Sequence, residues 1–157
     1  MIHLESIKYG DYEELYKIVK EAEPYMAKTM DIIGFTSIME LREGWTVYND
    51  DEIIGCVSIS DFIPKLNCIL HAFVKSDYFG NWIDNKICNL VYGHIFNTLG
   101  CSRVTGYCLV GESDRAGIAL EHMGFKQEGL QRQCALTDNG YHDVKTFGML
   151  KEECPWL

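Results

Sequence analysis

The chain has 157 residues, 47% of them hydrophobic and 24% charged, the proportions of one folded domain with a sizeable core and not of a disordered protein. Its formal net charge of -9 opposes binding to a phosphate backbone, which needs clustered lysine and arginine, so no nucleic acid is expected as a partner. The same field draws in a cation, such as an amine or a basic peptide end, and has the plainer effect of keeping the protein in solution.

Residues 2–7 alternate apolar and polar side chains and predict a first strand. Asp11 stands where it can cap a helix over 11–23, with Leu15, Ile18, Val19 and Ala22 as its buried stripe and Pro24 as its breaker. Residues 25–43 read as helix in pieces, the last capped by Thr36 or Ser37. From Trp45 the apolar period changes to two. Segments 45–48 and 53–63 flank the turn Asn49-Asp50-Asp51 as a hairpin, and Pro64-Lys65 make a second turn. Residues 68–74 are a continuous apolar run, as expected of a strand covered on both faces. A helix over 81–99 follows, with Ile83, Ile87, Leu90, Val91 and Ile95 inward and Gly100 as its stop.

Residues 103–109 form the next buried strand, and 113–122 a short helix on which Ala116, Ala119, Leu120 and Met123 share one face. Gly124 follows where a helix needs a left-handed cap. The last two strands, 125–136 and 141–150, are joined by the turn Thr137-Asp138-Asn139-Gly140. One mixed sheet with helices on both sides satisfies this order.

The seven cysteines are scattered through apolar segments with no C-x-x-C pair, the pattern of buried free thiols. Their odd number and the lack of a signal-type opening predict a cytoplasmic protein. No apolar stretch is long enough for a bilayer, so no membrane is expected. His3, His71, His94, His122 and His142 lack short metal-ligand spacing, and no metal is expected.

The short helix closed by Met123-Gly124-Phe125, the segment G-F-K-Q-E-G-L-Q-R at 124–132 and the segment G-Y-H-D-V-K-T-F-G-M-L at 140–150 resemble the GNAT superfamily of N-acetyltransferases. Within it they are most similar to the ribosomal-protein N-acetyltransferase branch. The resemblance covers nearly the whole chain and implies a single domain, 1–157, of α/β class: a mostly antiparallel twisted sheet with splayed fourth and fifth strands and helices on both faces. It implies direct transfer of an acetyl group from acetyl-CoA to a primary amine, either a small molecule or a protein N-terminus.

In such proteins the pantetheine arm pairs with the fourth strand, here Ala72, Phe73 and Val74. The pyrophosphate lies over the following turn and helix start, here Tyr78, Phe79, Gly80, Asn81, Trp82 and Ile83, where amides and helix dipole favour an anion. Gly80 matches the first loop glycine, whereas Asp77 and Trp82 stand where the family has Gln or Arg and Gly or Ala. Ser113, Arg115 and Ala116 match the second contact region, with Arg115 either meeting a phosphate or simply solvated. The acceptor is expected between the early helices, around residues 25–36, and the last hairpin.

Relatives use a strand carboxylate as base and a tyrosine as acid. Here Leu120 holds the tyrosine position, and His71 is the one titratable residue of the fourth strand. His71 is read as the base or as a satisfied core residue. Asp143 matches the hairpin aspartate, which recognises an amine or organises the turn. A competing reading is a GNAT-fold module that binds or regulates without catalysis, and a third is an acyltransferase for another thioester. A homodimer through the exposed hairpins or the tail 155–157 stays open.

Overall fold

The computed structural model describes residues 1–21, 31–111 and 115–157. Seven strands form one sheet in the order β1-β2-β3-β4-β5-β7-β6. They are β1 (Ile2–Ser6), β2 (Glu43–Asn49), β3 (Glu52–Ile63), β4 (Asn67–Val74), β5 (Arg103–Leu109), β6 (Lys126–Thr137) and β7 (Gly140–Leu150). Every neighbouring pair is antiparallel except β4 and β5. The parallel pair arises because the chain between them leaves the sheet as a helix and must return in the same direction.

Helices cover both faces. α1 (Tyr12–Glu21) and α2 (Ile32–Glu40) bury Leu15, Ile18, Val19, Phe35 and Met39 against Cys56. On the opposite face, α3 (Asn85–Gly93) and α4 (Arg115–His122) join the larger core, which includes Ile87, Val91, Tyr92, Val104, Leu120 and Phe147. β3 is the strand covered from both sides. A bulge near Ile54, where the β2 register shifts, puts Ile53 in the same core as Cys56 and Ile54 in the same core as Val57, three residues on in each case. No described helix is long and apolar enough to cross a membrane.

Asp11 does not cap α1 as expected. It ends a 3-10 turn, Tyr9–Asp11, and its buried carboxylate accepts from the Lys8 amide at 3.0 Å, Thr46 Oγ1 at 2.6 Å and Tyr48 Oη at 3.1 Å. That arrangement ties the β1–α1 turn to β2, because a buried carboxylate needs several donors. Residues 22 and 23, at the predicted end of this helix, lie outside the described residues. α2 is capped by Asp31, which accepts from the Gly34 amide, while Thr36 and Ser37 sit inside the helix.

The third helix also begins later than predicted. Asp84 is its cap, with its side chain accepting from the Ile87 amide at 2.8 Å, and residues 81–83 remain in a loop. Past Gly93 the winding loosens into a π-helical turn, His94–Thr98. α4 packs through Gly117 and Leu120, and Ala116 is exposed instead of inward. The cause is close approach to β5: a Cβ on Gly106 would stand 3.0 Å from Leu120, and one on Gly117 would stand 3.5 Å from Cys108 Sγ. Gly124 takes φ +101° at the end of α4, as predicted. The chain end is anchored there, since Trp156 Nε1 donates to the Met123 carbonyl at 2.8 Å.

Candidate active site

The central feature is a gap in the middle of the sheet. β4 pairs with β5 at only three positions, Asn67 with Arg103, Cys68 with Val104 and Ile69 with Thr105. Beyond them the strands part. Leu70 to Val74 keep their ladder to β3 alone, and Gly106 to Leu109 keep theirs to β7 alone. One edge of each strand is therefore left with main-chain donors and acceptors that a ligand amide can match.

Exposure confirms the opening. β4 and β5 were expected to be buried strands, yet Ala72 on β4 and Tyr107 on β5 are exposed although both strands are central. The physical reason is the missing ladder: parted strands cannot close their side chains over one another. Continuing the register from Ile69 and Thr105 by two residues puts His71 and Tyr107 on the same face, the one carrying α1 and α2. Tyr107 escaped the sequence reading, because nothing in an apolar strand marks which residue borders a gap.

The loop from β4 to α3 forms one end of the gap. Ser76–Tyr78 is a 3-10 turn, and the Phe79 and Asn81 amides bond back to the Ser76 and Tyr78 carbonyls. The Gly80, Trp82 and Ile83 amides have no hydrogen-bond partner among the described residues. Gly80 takes φ +81°, and, its chain neighbours aside, no atom of the described residues lies within 4 Å of the place a Cβ would fill. Backbone is thus open to close approach by an anion there. Trp82 turns its indole inward and is buried in the larger core, so of this residue only the amide faces the loop. Tyr78 is spent on Glu52 and Asn49, through its hydroxyl.

A cation reaches this loop from across the gap. The Arg115 guanidinium, at the first residue of α4, lies over the Phe79 ring at 5.6 Å from its centre. Positive charge beside three amides that have no partner among the described residues suits a pyrophosphate, while Asp77 and the Asp84 cap supply the opposing charge. Ser113 lies outside the described residues, as do residues 25–30 of the predicted acceptor region.

His71 stands on the gap wall with a built environment. Its Nε2 lies 2.7 Å from Ser60 Oγ, and that hydroxyl lies 2.7 Å from Asp61 Oδ2. Burial, helped by the Arg42 charge and opposed by Asp61, lowers its pKa from 6.5 to about 4, so the imidazole is neutral at neutral pH. Beneath it in register sits Ser58, whose buried hydroxyl has no nitrogen or oxygen partner among the described residues and faces the Cys56 thiol.

Asp143 lies on β7, in the closing hairpin. Its Oδ1 accepts from the Gln133 amide at 2.8 Å, where β6 bulges and Gln133 takes φ +50°. Of the two roles left open for this aspartate, the observed bond is the one that organises the hairpin. A surface depression lined by Arg132, Gln133 and Asp143 adjoins it. Glu128 forms an ion pair with Arg103 at 2.7 Å, in keeping with a structural part. Burial pushes the Cys56 and Cys68 thiols up to about 12 and Cys88 to about 11, so these stay protonated and unreactive.

No protein-family model matches the sequence, and no curated protein does. Solved structures do match. Spermidine N-acetyltransferase from Vibrio cholerae, in complex with CoA and spermine, aligns with a TM-score of 0.80 at 15% identity, covering 97% of this chain and 96% of that one. A protein described as a probable acetyltransferase also aligns with a TM-score of 0.80, at 16% identity, covering 97% and 94%. At such identities the likeness establishes the fold alone, which this chain shares with those acetyltransferases; here it is a mostly antiparallel seven-stranded sheet with one parallel pair.

Proposed function

We propose that this chain is an acetyl-CoA-dependent N-acetyltransferase that moves the acetyl group directly to a primary amine. The parting of β4 and β5 after Ile69 and Thr105 carries the reading. An edge of unpaired backbone suits the two amides of a pantetheine arm, and the Gly80, Trp82 and Ile83 amides with Arg115 suit the pyrophosphate at its end. Ala72, exposed on the gap, leaves room for the arm; Phe73 and Val74 contribute backbone.

Acetyl-CoA supplies an activated thioester, and the protein's task is positioning and proton handling. The amine nitrogen bonds to the carbonyl carbon, the carbon–sulfur bond breaks, and the sulfur leaves with a proton. His71, neutral at neutral pH, takes the proton that the nitrogen sheds as its bond to carbon forms. With so low a pKa it does not strip a resting ammonium, so the amine arrives uncharged. Tyr107, on the same face across the gap, offers the phenol that returns a proton to the sulfur.

The acceptor is a primary amine, small or at a protein N-terminus. The spermine in the Vibrio cholerae complex and this chain's net charge of -9 both support a small cationic amine. The carboxylates of Asp77 and Asp84 beside the phosphate-sized loop favour the competing reading, a fold kept for binding or regulation. One experiment separates them. Acetyl-CoA at a hundred times its Kd adds about 2.7 kcal/mol of stability, and thiol release across an amine panel reports transfer. Ala72→Trp, which fills the gap at an exposed position, should remove both signals and leave the circular dichroism spectrum unchanged. Wild-type protein that neither gains stability nor releases thiol would sink the proposal.

A further inference from the structure

His71 is held from behind by two residues of the neighbouring strand. The Ser60 hydroxyl lies 2.7 Å from His71 Nε2 and 2.7 Å from Asp61 Oδ2. A serine hydroxyl has a single proton to give, so it serves only one of these partners. Asp61 is solvent-exposed, and an exposed carboxylate at neutral pH only accepts. Two oxygens at that distance with no proton between them would repel, so the Ser60 proton points at Asp61. The contact with His71 must then be made by the imidazole: Nε2–H donates to Ser60 Oγ. The lone pair is left on Nδ1.

The geometry that permits this is unusual for a strand. Successive residues on a regular strand point to opposite faces, and their side chains do not meet. Here the β3–β4 register shifts between Ser60 and Ile63, and Asp61 takes φ +50°, a conformation that costs a non-glycine residue energy. At this bulge the Asp61 carboxylate folds back onto the preceding hydroxyl. On the other side of the ring, Nδ1 has no hydrogen-bond partner among the described residues and is not one of the polar atoms sealed from solvent. The charges that bear on the ring are Arg42, from the segment between α2 and β2, which opposes an added proton, and Asp61, which favours it.

We propose that Ser60 and Asp61 are positioning residues that hold His71 as its Nε2–H tautomer and so present Nδ1 as the proton acceptor for acetyl transfer. The inference rests on the acetyltransferase reading. As the nitrogen–carbon bond forms, one proton passes from the amine to Nδ1. Nε2 keeps its own proton on Ser60, and Ser60 keeps its proton on Asp61. Water then carries the proton from Nδ1 to the phenolate that Tyr107 has become on protonating the sulfur, which restores the starting state. The Ser60–Asp61 chain thus orients the ring and faces the positive charge it briefly carries, without itself accepting a proton.

The test reads the ring directly. Long-range proton–nitrogen correlation spectra of uniformly labelled protein at neutral pH should show His71 with a protonated Nε2 and a bare Nδ1. Ser60→Ala and Asp61→Asn should shift the ring toward a mixture of tautomers and lower kcat roughly tenfold or more, with KM for acetyl-CoA nearly unchanged. Ser60→Thr, which restores a hydroxyl, should recover the tautomer. A proton on Nδ1 in the wild type, or an unchanged ring in Ser60→Ala, overturns the proposal. Wild-type protein with the expected tautomer and no turnover would instead defeat the acetyltransferase reading and leave the tautomer assignment standing.

Discussion

Replacing His71 with Asn should change how the protein responds to acid. A histidine that ionises at 6.5 in the unfolded chain and at about 4 in the fold binds its proton more readily when unfolded. Between those two values the unfolded state therefore holds more protons, and stability falls as the pH falls. The loss begins near pH 6.5, is complete below about pH 4, and amounts to about 3 kcal/mol at about 1.4 kcal/mol per pH unit. Urea denaturation of wild type and His71→Asn at neutral pH and near pH 4 isolates this contribution, because the titration of every other group is common to both proteins. The wild type should lose about 3 kcal/mol more than the variant over that interval. Equal losses would refute the claim that the fold holds His71 neutral. The same depression predicts that kcat/KM follows deprotonation of the acceptor amine upward in pH, with no histidine limb near neutrality.

Two further substitutions probe the scaffold and the loop. Asp11→Ala removes the acceptor shared by the Lys8 amide, Thr46 and Tyr48, leaving the fully buried Thr46 hydroxyl without its partner. Denaturant titration should show a loss of about 3 kcal/mol or more, and a loss below about 1 kcal/mol would mean that the network is dispensable. Arg115→Ala should weaken acetyl-CoA by about 1–2 kcal/mol, or roughly fivefold to thirtyfold in Kd, while leaving a truncated acetyl-pantetheine thioester unaffected. Equal weakening of both ligands, measured by calorimetry, would place Arg115 away from the phosphates.

Features set by neighbours in the chain were legible in the sequence. The stripe Leu15, Ile18 and Val19, the left-handed cap at Gly124 and the turns at Asn49–Asp51 and 137–140 all follow from spacing and local conformation, and all are present. The start of α3 was misread although its signal was available. Ile83 fits the helical period, but Asp84, three residues before Ile87, is the side chain that can cap the first turn. Asp11 misled in the opposite sense. It has the chemistry of a cap, but Thr46 and Tyr48 claim its carboxylate from a strand thirty-five residues away.

His71 was singled out from the sequence as the titratable residue of its strand, and Gly80 as the glycine of its loop. The resemblance to the acetyltransferases pointed to both positions, and the residues themselves record only which chemistry each element carries. Where β4 parts from β5 was not written in either strand, since pairing is a property of two segments thirty-six residues apart in register. Only the folded chain brought Arg115 over Phe79, committed Asp143 to Gln133 and bent Asp61 back onto Ser60. Hydrophobic period is local and survives in one dimension, whereas the contacts that tune a proton acceptor are made across the sheet and exist only in three.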